Sequence, residues 1–355
     1  MPSPPPNLTQ HFLDHLWAVR DRATEADIHQ ARRCLLDYLG VTLAGATLNR
    51  NASTDLLDHL DTNSGAVAPI GFSRKASLES AVFLNGLNSH ILDMDDGVRF
   101  GMLHPGAPLF STLLPVAAVK QVDGTSFLTG VLTGYEASTA LANAMQPFHY
   151  SAGYHPTSTC GTVGAAIGLA AMQNASRTQM KNSLAAATTW SSGTLKVLEG
   201  GSQLKPFNSA RAAVNGLLAL TIGQAGTSGP DDPLAGEAGF FELMAPGLST
   251  PSTNWMCPQG LWIRQVHIKH RAACRHAHAA IDATLHIRRE SGVRAGDVEH
   301  IVIGTYESVL GKHDHKEIGG VSSARMSIPY SVAVALVHGG VGVEQFAPDA
   351  LTDMQ

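Results

Sequence analysis

Residues 156–173 read PTSTCGTVGAAIGLAAMQ, from Pro156 to Gln173, and this stretch decides the fold. Gly161, Gly164 and Gly168 recur in it among alanines. Glycine weakens a helix by about 1 kcal/mol relative to alanine, so repeated glycines indicate a close approach of neighbouring backbones. The stretch therefore predicts a helix packed inside a helical bundle, with a loosely formed helix as the alternative.

Helix start signals occur on both sides of this stretch. Thr24 stands before Glu25 and Asp27, which predicts an N-cap followed by acids in the first turn. Ser176 and Gln179 match a capping-box pattern. Behind the first cap, apolar residues recur on one helix face: Ile28, Ala31, Leu35, Tyr38 and Leu39. The N-terminal part of the chain is thus predicted to form a series of helices.

The pattern changes in the C-terminal part of the chain. Gly226–Asn254 is rich in Gly, Pro, Ser and Asp and predicts a long connection. Trp262–Lys269 and Glu299–Tyr306 then show strand-like alternation. We predict a mainly α fold, with a large all-helical domain over residues 1–259. A smaller α+β domain is predicted over residues 260–355.

Composition excludes several classes of protein. Only 15% of the residues are charged, against about 25% in a typical soluble domain, so much of the surface is expected to be hidden. A net charge of −5 without a basic cluster argues against a nucleic-acid partner. Apolar stretches such as Phe110–Val119 are too short to cross a membrane. The N-terminus lacks a signal-peptide pattern and the cysteines form no disulfide framework, so we expect a cytoplasmic protein.

Acids and imidazoles concentrate between Asn85 and Asp96, just before His104. Because such groups are costly to bury, their concentration indicates chemistry. Asp93 and Asp96 share a face if the segment is helical, where they can orient a base or bind a cation. Capping or solvation is the alternative for Asp96 and its neighbour Asp95. Magnesium-dependent prenyl synthases also carry aspartate-rich motifs, but the sequence has no second acidic cluster.

Two histidines precede prolines, in His104-Pro105 and His155-Pro156. Proline disfavours a helical conformation in the residue before it, so each histidine is expected at a bend that opens a helix. Two imidazoles aimed into one cleft would suit proton transfer near neutral pH. Two unrelated capping histidines are the alternative.

Cationic candidates lie further along the chain. Lys205 precedes Pro206 at a predicted helix start and suits a substrate carboxylate, unless it is a surface lysine. The segment from Lys269 to His278 is the most cationic and favours carboxylate binding at a helix start. Cys274 and His278 within it have the spacing of a zinc-ligand pair, but two ligands are too few for such a site. Tyr330 opens another helix and is either a phenolic donor or a core residue.

Short motifs in a fixed order carry a family resemblance. They are Leu35–Gly40 with Ala44-Gly45, Asn85–Asp96, Leu103–Gly106, Gly134–Glu136, Tyr154–Thr157 with Gly161-Thr162, Leu204–Pro206 with Ala212-Ala213, Lys269–His278 and Ser327–Tyr330. Together they cover nearly the whole chain, and in this order they resemble the MmgE/PrpD family.

The resemblance implies a large helical domain, a smaller α+β lid and an active cleft. Known members include 2-methylcitrate dehydratase, cis-aconitate decarboxylase and iminodisuccinate epimerase. They act on small di- or tricarboxylates without a metal or organic cofactor and commonly form homodimers. The resemblance also implies that the chain ends before the lid is complete.

The resemblance further assigns roles to individual residues. It places catalytic groups at Asp93, His104, His155, Lys205, Lys269 and Tyr330. Gly97 stands where the decarboxylase pattern has threonine, and Arg99 nearby can clamp a carboxylate. Arg275 and His278 complete the expected substrate-binding set.

A mechanism follows from these assignments. Arg99, Lys205 and Arg275 would bind carboxylates, and the two His-Pro imidazoles would move protons with Asp93 orienting one of them. Lys269 and Tyr330 would complete the acid/base set. We therefore predict a cofactor-free lyase that dehydrates or decarboxylates a citrate- or aconitate-like acid. The alternatives are an epimerase of an amino- or imino-dicarboxylate and a catalytically inactive helical homodimer.

Overall fold

A computed structural model describes residues 7–61, 65–199, 202–248 and 260–352 of the chain. The chain forms two compact units. The first unit comprises Met1–Ile91, Asp95–Leu195 and Pro206–Ile268, and the second comprises Leu92–Met94, Lys196–Lys205 and Lys269–Gln355.

Up to Ile268, the described residues form helices and one short pair of strands. The helices are α1 (Leu8–Trp17), α2 (Val19–Arg22), α3 (Glu25–Leu48), α4 (Arg50–Leu60), α5 (Leu78–His90), α6 (Gly106–Lys120), α7 (Gly124–Met145), α8 (Phe148–Ser151), α9 (Pro156–Met172), α10 (Arg177–Trp190), α11 (Lys205–Gln224) and α12 (Phe240–Met244). Strands β1 (Gly97–Val98) and β2 (Val266–His267) pair antiparallel, with Gly97 opposite His267 and Val98 opposite Val266.

The C-terminal part of the second unit is also helical. Its α-helices are α13 (Arg275–Ser291), α14 (Val321–Met326), α15 (Ile328–His338) and α16 (Pro348–Thr352). Short 3-10 turns occur at Ala295–Asp297, Glu307–Val309 and Glu344–Phe346. The prediction of a mainly α fold is confirmed. None of the helices in the described segments is both long and apolar enough to cross a membrane.

The packing of α9 confirms the reading of its glycines. A Cβ added at Gly164 would lie 2.6 Å from the Cβ of Ser138 and 2.9 Å from the carbonyl oxygen of Gly134, both on α7. A Cβ at Gly168 would lie 2.9 Å from the carbonyl oxygen of Gly130 on the same helix. The two helices can approach this closely only because no side chains stand between them. The alternative of a loosely formed helix is wrong, since nearly all of α9 is buried.

Both predicted helix starts are confirmed. Thr24 and Asp27 form a reciprocal capping box at the start of α3, and Ser176 and Gln179 form another at α10. The apolar face predicted for α3 is correct at Ala31 and Tyr38, which are buried, but wrong at Leu39, which is 39% exposed.

The strand predicted at Glu299–Tyr306 is wrong. The structure assigns no strand to this segment, and Val302 is 85% exposed. Alternation of apolar residues does not by itself supply the neighbouring strand that a ladder of hydrogen bonds requires. In Trp262–Lys269 only the two residues of β2 form a strand, after a 3-10 turn at Trp262–Gln265.

Candidate active site

The first unit contains a cluster of imidazoles, which we define as His90, Asp95, His104 and His155. His90 is the last residue of α5 and is 1% exposed. Its ring centroid lies 4.9 Å from that of His104 and 6.0 Å from that of His155. Both His-Pro histidines therefore approach one buried ring that the sequence analysis did not assign to the site.

His90 is held by one hydrogen bond and leaves one nitrogen unsatisfied. Its Nδ1 lies 2.7 Å from Oδ2 of Asp95. Among the described residues, no hydrogen-bond partner reaches its buried Nε2. A buried polar atom without a partner costs about 1–3 kcal/mol, and native proteins retain few of them. This nitrogen is therefore a candidate contact for a substrate or a solvent molecule.

His104 is oriented by the segment before α6. Its Nδ1 lies 2.7 Å from the carbonyl oxygen of Asp96, an acceptor, so the ring carries its proton on Nδ1. Its backbone N–H donates to Oγ1 of Thr157 over 3.0 Å. In the neutral ring the lone pair therefore lies on Nε2, which is the nitrogen that can act as a base.

His155 has the opposite tautomer. It is the N-cap residue of α9, and its Nδ1 accepts a hydrogen bond of 3.0 Å from Nδ2 of Asn208. The neutral ring therefore carries its proton on Nε2 and can donate it in a hydrogen bond to an oxygen. One unit thus holds an imidazole that accepts a proton and another that donates a hydrogen bond.

Asp96 is part of the scaffold behind His104. Its Oδ1 accepts from the backbone N–H of Gly106 over 3.0 Å, and the hydroxyl of Tyr135 lies 2.6 Å from its Oδ2. Burial raises the pKa of Asp96 to about 8. Asp96 is not an N-cap residue, because that position of α6 is Pro105, although its carboxylate accepts from the first N–H of the helix. Solvation is wrong for both Asp95 and Asp96, which are buried.

The second unit contains a lysine–aspartate cluster, formed by Asp93, Lys205 and Lys269. Lys205 donates from Nζ to Oδ1 of Asp93 over 2.5 Å. Lys269 donates to the same oxygen over 3.1 Å and to the backbone carbonyl of Asp93 over 2.7 Å. Two cations thus surround one carboxylate, and this local excess of positive charge can attract a further carboxylate.

The backbone at Asp93 is unusual. Its φ is +52°, in the left-handed region, which costs a residue other than glycine about 1 kcal/mol. Because α5 ends at His90, Asp93 and Asp96 do not share a helix face, and that expectation is wrong. Asp95 lies within hydrogen-bond distance of the imidazole of His90, and the orienting role expected of Asp93 remains a prediction.

Buried Arg325 adds positive charge to the second unit. Burial lowers its pKa to about 10, and the charge of Asp93 acts in the opposite direction. Its backbone carbonyl accepts from the N–H of Cys274 over 2.8 Å, next to the start of α13. The sequence analysis did not select Arg325, because the surrounding motif gives it no distinctive spacing.

Four further candidates lie outside these two clusters. The hydroxyl of Tyr330 donates to the carbonyl oxygen of Gln345 over 2.7 Å, and burial raises the pKa of this tyrosine. Arg99 is exposed, with its guanidinium 6.0 Å from the ring of Phe100. Their roles in the site remain predictions.

The other two candidates belong to α13. Arg275, its first residue, is exposed. His278 is buried, with Nε2 3.1 Å from the carbonyl oxygen of Ala273, and burial lowers its pKa to about 4. Their substrate-binding roles also remain predictions.

The described residues include two groups of three side chains with the spacing of metal ligands. In each group, one potential ligand atom per residue lies within 4.8 Å of the others. The groups are His90, Asp95 and His104 in the first unit, and Cys274, His276 and His313 in the second. The zinc pair weighed from sequence, Cys274 with His278, is not one of them.

Comparison with known proteins matches both parts of the chain to one family. Residues 18–251 match the MmgE/PrpD N-terminal domain, and residues 272–355 match the MmgE/PrpD C-terminal domain. The chain is also similar to the "cis-aconitate decarboxylase-like protein oryM" of Aspergillus oryzae. The two are 23% identical, over 98% of this chain and 77% of the fungal protein.

Proposed function

Because the chain belongs to the MmgE/PrpD family, we propose that it is a lyase that removes water from a small di- or tricarboxylate. The observation that carries this proposal is the pair of opposite tautomers at His104 and His155. Elimination of water beside a carboxylate needs a base for the C–H proton and a hydrogen-bond donor for the oxygen on which charge develops. These imidazoles supply one of each.

The proposed reaction balances without an external reagent. Nε2 of His104 removes the proton from the carbon next to a carboxylate. His155 donates a hydrogen bond from Nε2 to the carboxylate oxygen that gains negative charge, as a neutral imidazole can in a preorganised site. The carbon–carbon double bond forms as the carbon–oxygen bond breaks. The His104 imidazolium then returns its proton to the departing hydroxide, which leaves as water.

We assign binding of substrate carboxylates to the lysine–aspartate cluster. Lys269 is 4% exposed, so its charge is little screened by solvent. Asp93 holds both ammonium groups in place, and their combined charge exceeds its own by one. An incoming carboxylate would restore neutrality in this cluster.

Decarboxylation is the second candidate, favoured by the similarity to a protein described as cis-aconitate decarboxylase-like. In that reaction the carbon–carbon bond to a carboxylate breaks and carbon dioxide leaves. Both electrons of the broken bond stay on the substrate carbon. The remaining carbanion takes a proton from an imidazolium. The same imidazole cluster can serve this step, with His104 starting in the protonated form.

Proton NMR in deuterated buffer tests the proposal. Purified protein is incubated with a mixture of small hydroxy- and unsaturated di- and tricarboxylates. We expect loss of a hydroxy acid and growth of a vinyl signal, both abolished in a His104→Ala variant. Consumption of an unsaturated acid with release of carbon dioxide would instead establish the decarboxylase.

Two other outcomes would overturn the lyase. Deuterium that enters recovered substrate without net consumption would indicate an epimerase. An unchanged mixture, together with no thermal stabilisation by any acid in the panel, would indicate an inactive scaffold.

A further inference from the structure

The second unit brings together a thiol and two imidazoles to which the proposed dehydration assigns no role. Cys274 is the N-cap residue of α13, and His276 lies in the first turn of that helix. His313 comes from the segment after the 3-10 turn at Glu307–Val309. One potential ligand atom from each lies within 4.8 Å of the other two. Tetrahedral zinc places its ligand atoms about 3.5 Å apart, so small side-chain rotations close this group around an ion.

The hydrogen bonds of the two histidines fit a metal site. Nδ1 of His313 lies 3.1 Å from the carbonyl oxygen of Met326, and Nδ1 of His276 shares a short hydrogen bond with the hydroxyl of Tyr306. Histidine ligands usually hold the metal with one ring nitrogen and use the other in such a bond. In both rings this leaves Nε2 as the coordinating nitrogen. The ring centroids are 4.7 Å apart and the planes differ by 28°.

Protonation also fits a metal site. Burial lowers the pKa of His313 to about 4, and it lowers the pKa of His276 as well. Both rings are therefore neutral near pH 7, the form that coordinates metals. Burial raises the pKa of the Cys274 thiol, so this cysteine becomes a thiolate only when a cation displaces its proton.

Neighbouring charges set the expected strength of binding. Lys205 and Lys269 interact electrostatically with Cys274, and they favour its thiolate while they repel a divalent cation. Asp93 in the same unit partly offsets them. We therefore expect reversible binding rather than the tight retention typical of a site with four cysteine and histidine ligands.

We propose that Cys274, His276 and His313 bind one divalent transition-metal ion of the zinc type. The fourth position of a tetrahedral ion is left for water or another small ligand. The ion would connect the start of α13 to the segment around His313. Because it binds the folded chain, it would also stabilise the fold. The proposed dehydration assigns no chemical step to these three residues.

Cobalt titration of the full chain, after removal of metals with a chelator, tests this site. We expect one equivalent of Co²⁺ to produce a thiolate-to-metal charge-transfer band in the near ultraviolet and the visible bands of tetrahedral coordination. Zn²⁺ should abolish both and raise Tm. Cys274→Ser should remove the charge-transfer band, and both this variant and His313→Gln should weaken Zn²⁺ binding at least about tenfold. The matched control His286→Gln, an exposed histidine of the same helix, should bind as the wild type does.

Other results of these titrations would contradict the proposed metal site. Absence of binding by the wild type would overturn the proposal, as would a charge-transfer band that persists in Cys274→Ser. A band lost in His278→Asn but retained in His313→Gln would instead assign the ion to Cys274 and His278. If circular dichroism shows that Cys274→Ser or His313→Gln is unfolded, His276→Gln replaces it, because His276 is only partly buried. Unchanged Zn²⁺ affinity in that variant would equally contradict the site.

Discussion

The two clusters are built from opposite kinds of chemistry. In the imidazole cluster, proton positions are set by backbone and amide groups: Asp96 orients His104 and Asn208 orients His155. In the lysine–aspartate cluster, the side chains are held by ion pairs, with two ammonium groups on one carboxylate. The difference indicates that the first cluster suits movement of protons and the second suits binding of anions. Variants in each should therefore affect different measured quantities.

Replacement of His104 by Ala should have the largest effect. Loss of a base reduces turnover by about a hundredfold or more, with little effect on the free energy of unfolding. Turnover of the acid identified by NMR gives the measurement, with His29→Ala, an exposed histidine of α3, as the control. Near-wild-type turnover in His104→Ala would remove this residue from the mechanism. It would also contradict the assignment of proton transfer to the imidazole cluster.

Lys269→Met should act on stability and substrate binding. The variant removes hydrogen bonds to both the side chain and the backbone of Asp93, at a cost of about 2 kcal/mol in unfolding free energy. Lys205→Met should cost less, because the Lys205 side chain is 13% exposed and that of Lys269 is 1% exposed. Urea unfolding measures both, with exposed Lys316→Met as the control.

A double variant tests the pairing between Asp93 and the lysines. Asp93→Asn combined with Lys269→Met should lower stability further than Lys269→Met alone, because Lys205 then loses the carboxylate that it pairs with. In both lysine variants KM for the acid should rise more than kcat falls. A fall in kcat with unchanged KM would show that the lysines act in the chemical step and that the division between the clusters is wrong.

Asp95→Asn tests whether positioning matters within the imidazole cluster. Asparagine retains an acceptor for Nδ1 of His90 but removes the charge, which also lies 3.6 Å from Nδ1 of His104. We expect kcat to fall about tenfold, less than on loss of the base itself, and the pH profile of kcat to change. KM and Tm should stay near the wild-type values. A wild-type pH profile would contradict a positioning role for Asp95.

Asp96→Asn should have the smallest effect on turnover, and its effect on stability should appear as a dependence on pH. The pKa of Asp96 is raised to about 8, so the native state holds a proton that the unfolded state releases above its usual pKa of 3.8. The stability from this group is complete below that usual pKa and is lost as the pH rises toward 8, by up to roughly 1.4 kcal/mol per unit. Asparagine removes this dependence. Urea unfolding at a series of pH values measures it, and parallel profiles for both proteins would contradict the assignment.

Local signals in the sequence predicted local structure well. The caps at Thr24 and Ser176 specify helix starts through contacts within one turn, and the repeated glycines of α9 indicated that another backbone would approach it closely. The strand at Glu299–Tyr306 was predicted wrongly because a strand depends on a partner far away in the chain, which periodicity does not reveal. His90 was missed for a related reason. Its position at the end of α5 is a local property, but its approach to His104 and His155 depends on the packing of three helix ends.

The sequence by itself determined the mainly α fold, the membership of the MmgE/PrpD family and the presence of acids, imidazoles and lysines at marked positions. These follow from short-range periodicity, capping and ordered motifs. Only the tertiary structure decided that Asp93 holds lysines while Asp95 holds an imidazole, and that His104 and His155 carry their protons on opposite nitrogens. A hydrogen bond is short and directional, so its partner is selected by the folded arrangement of distant residues and not by their spacing in the chain.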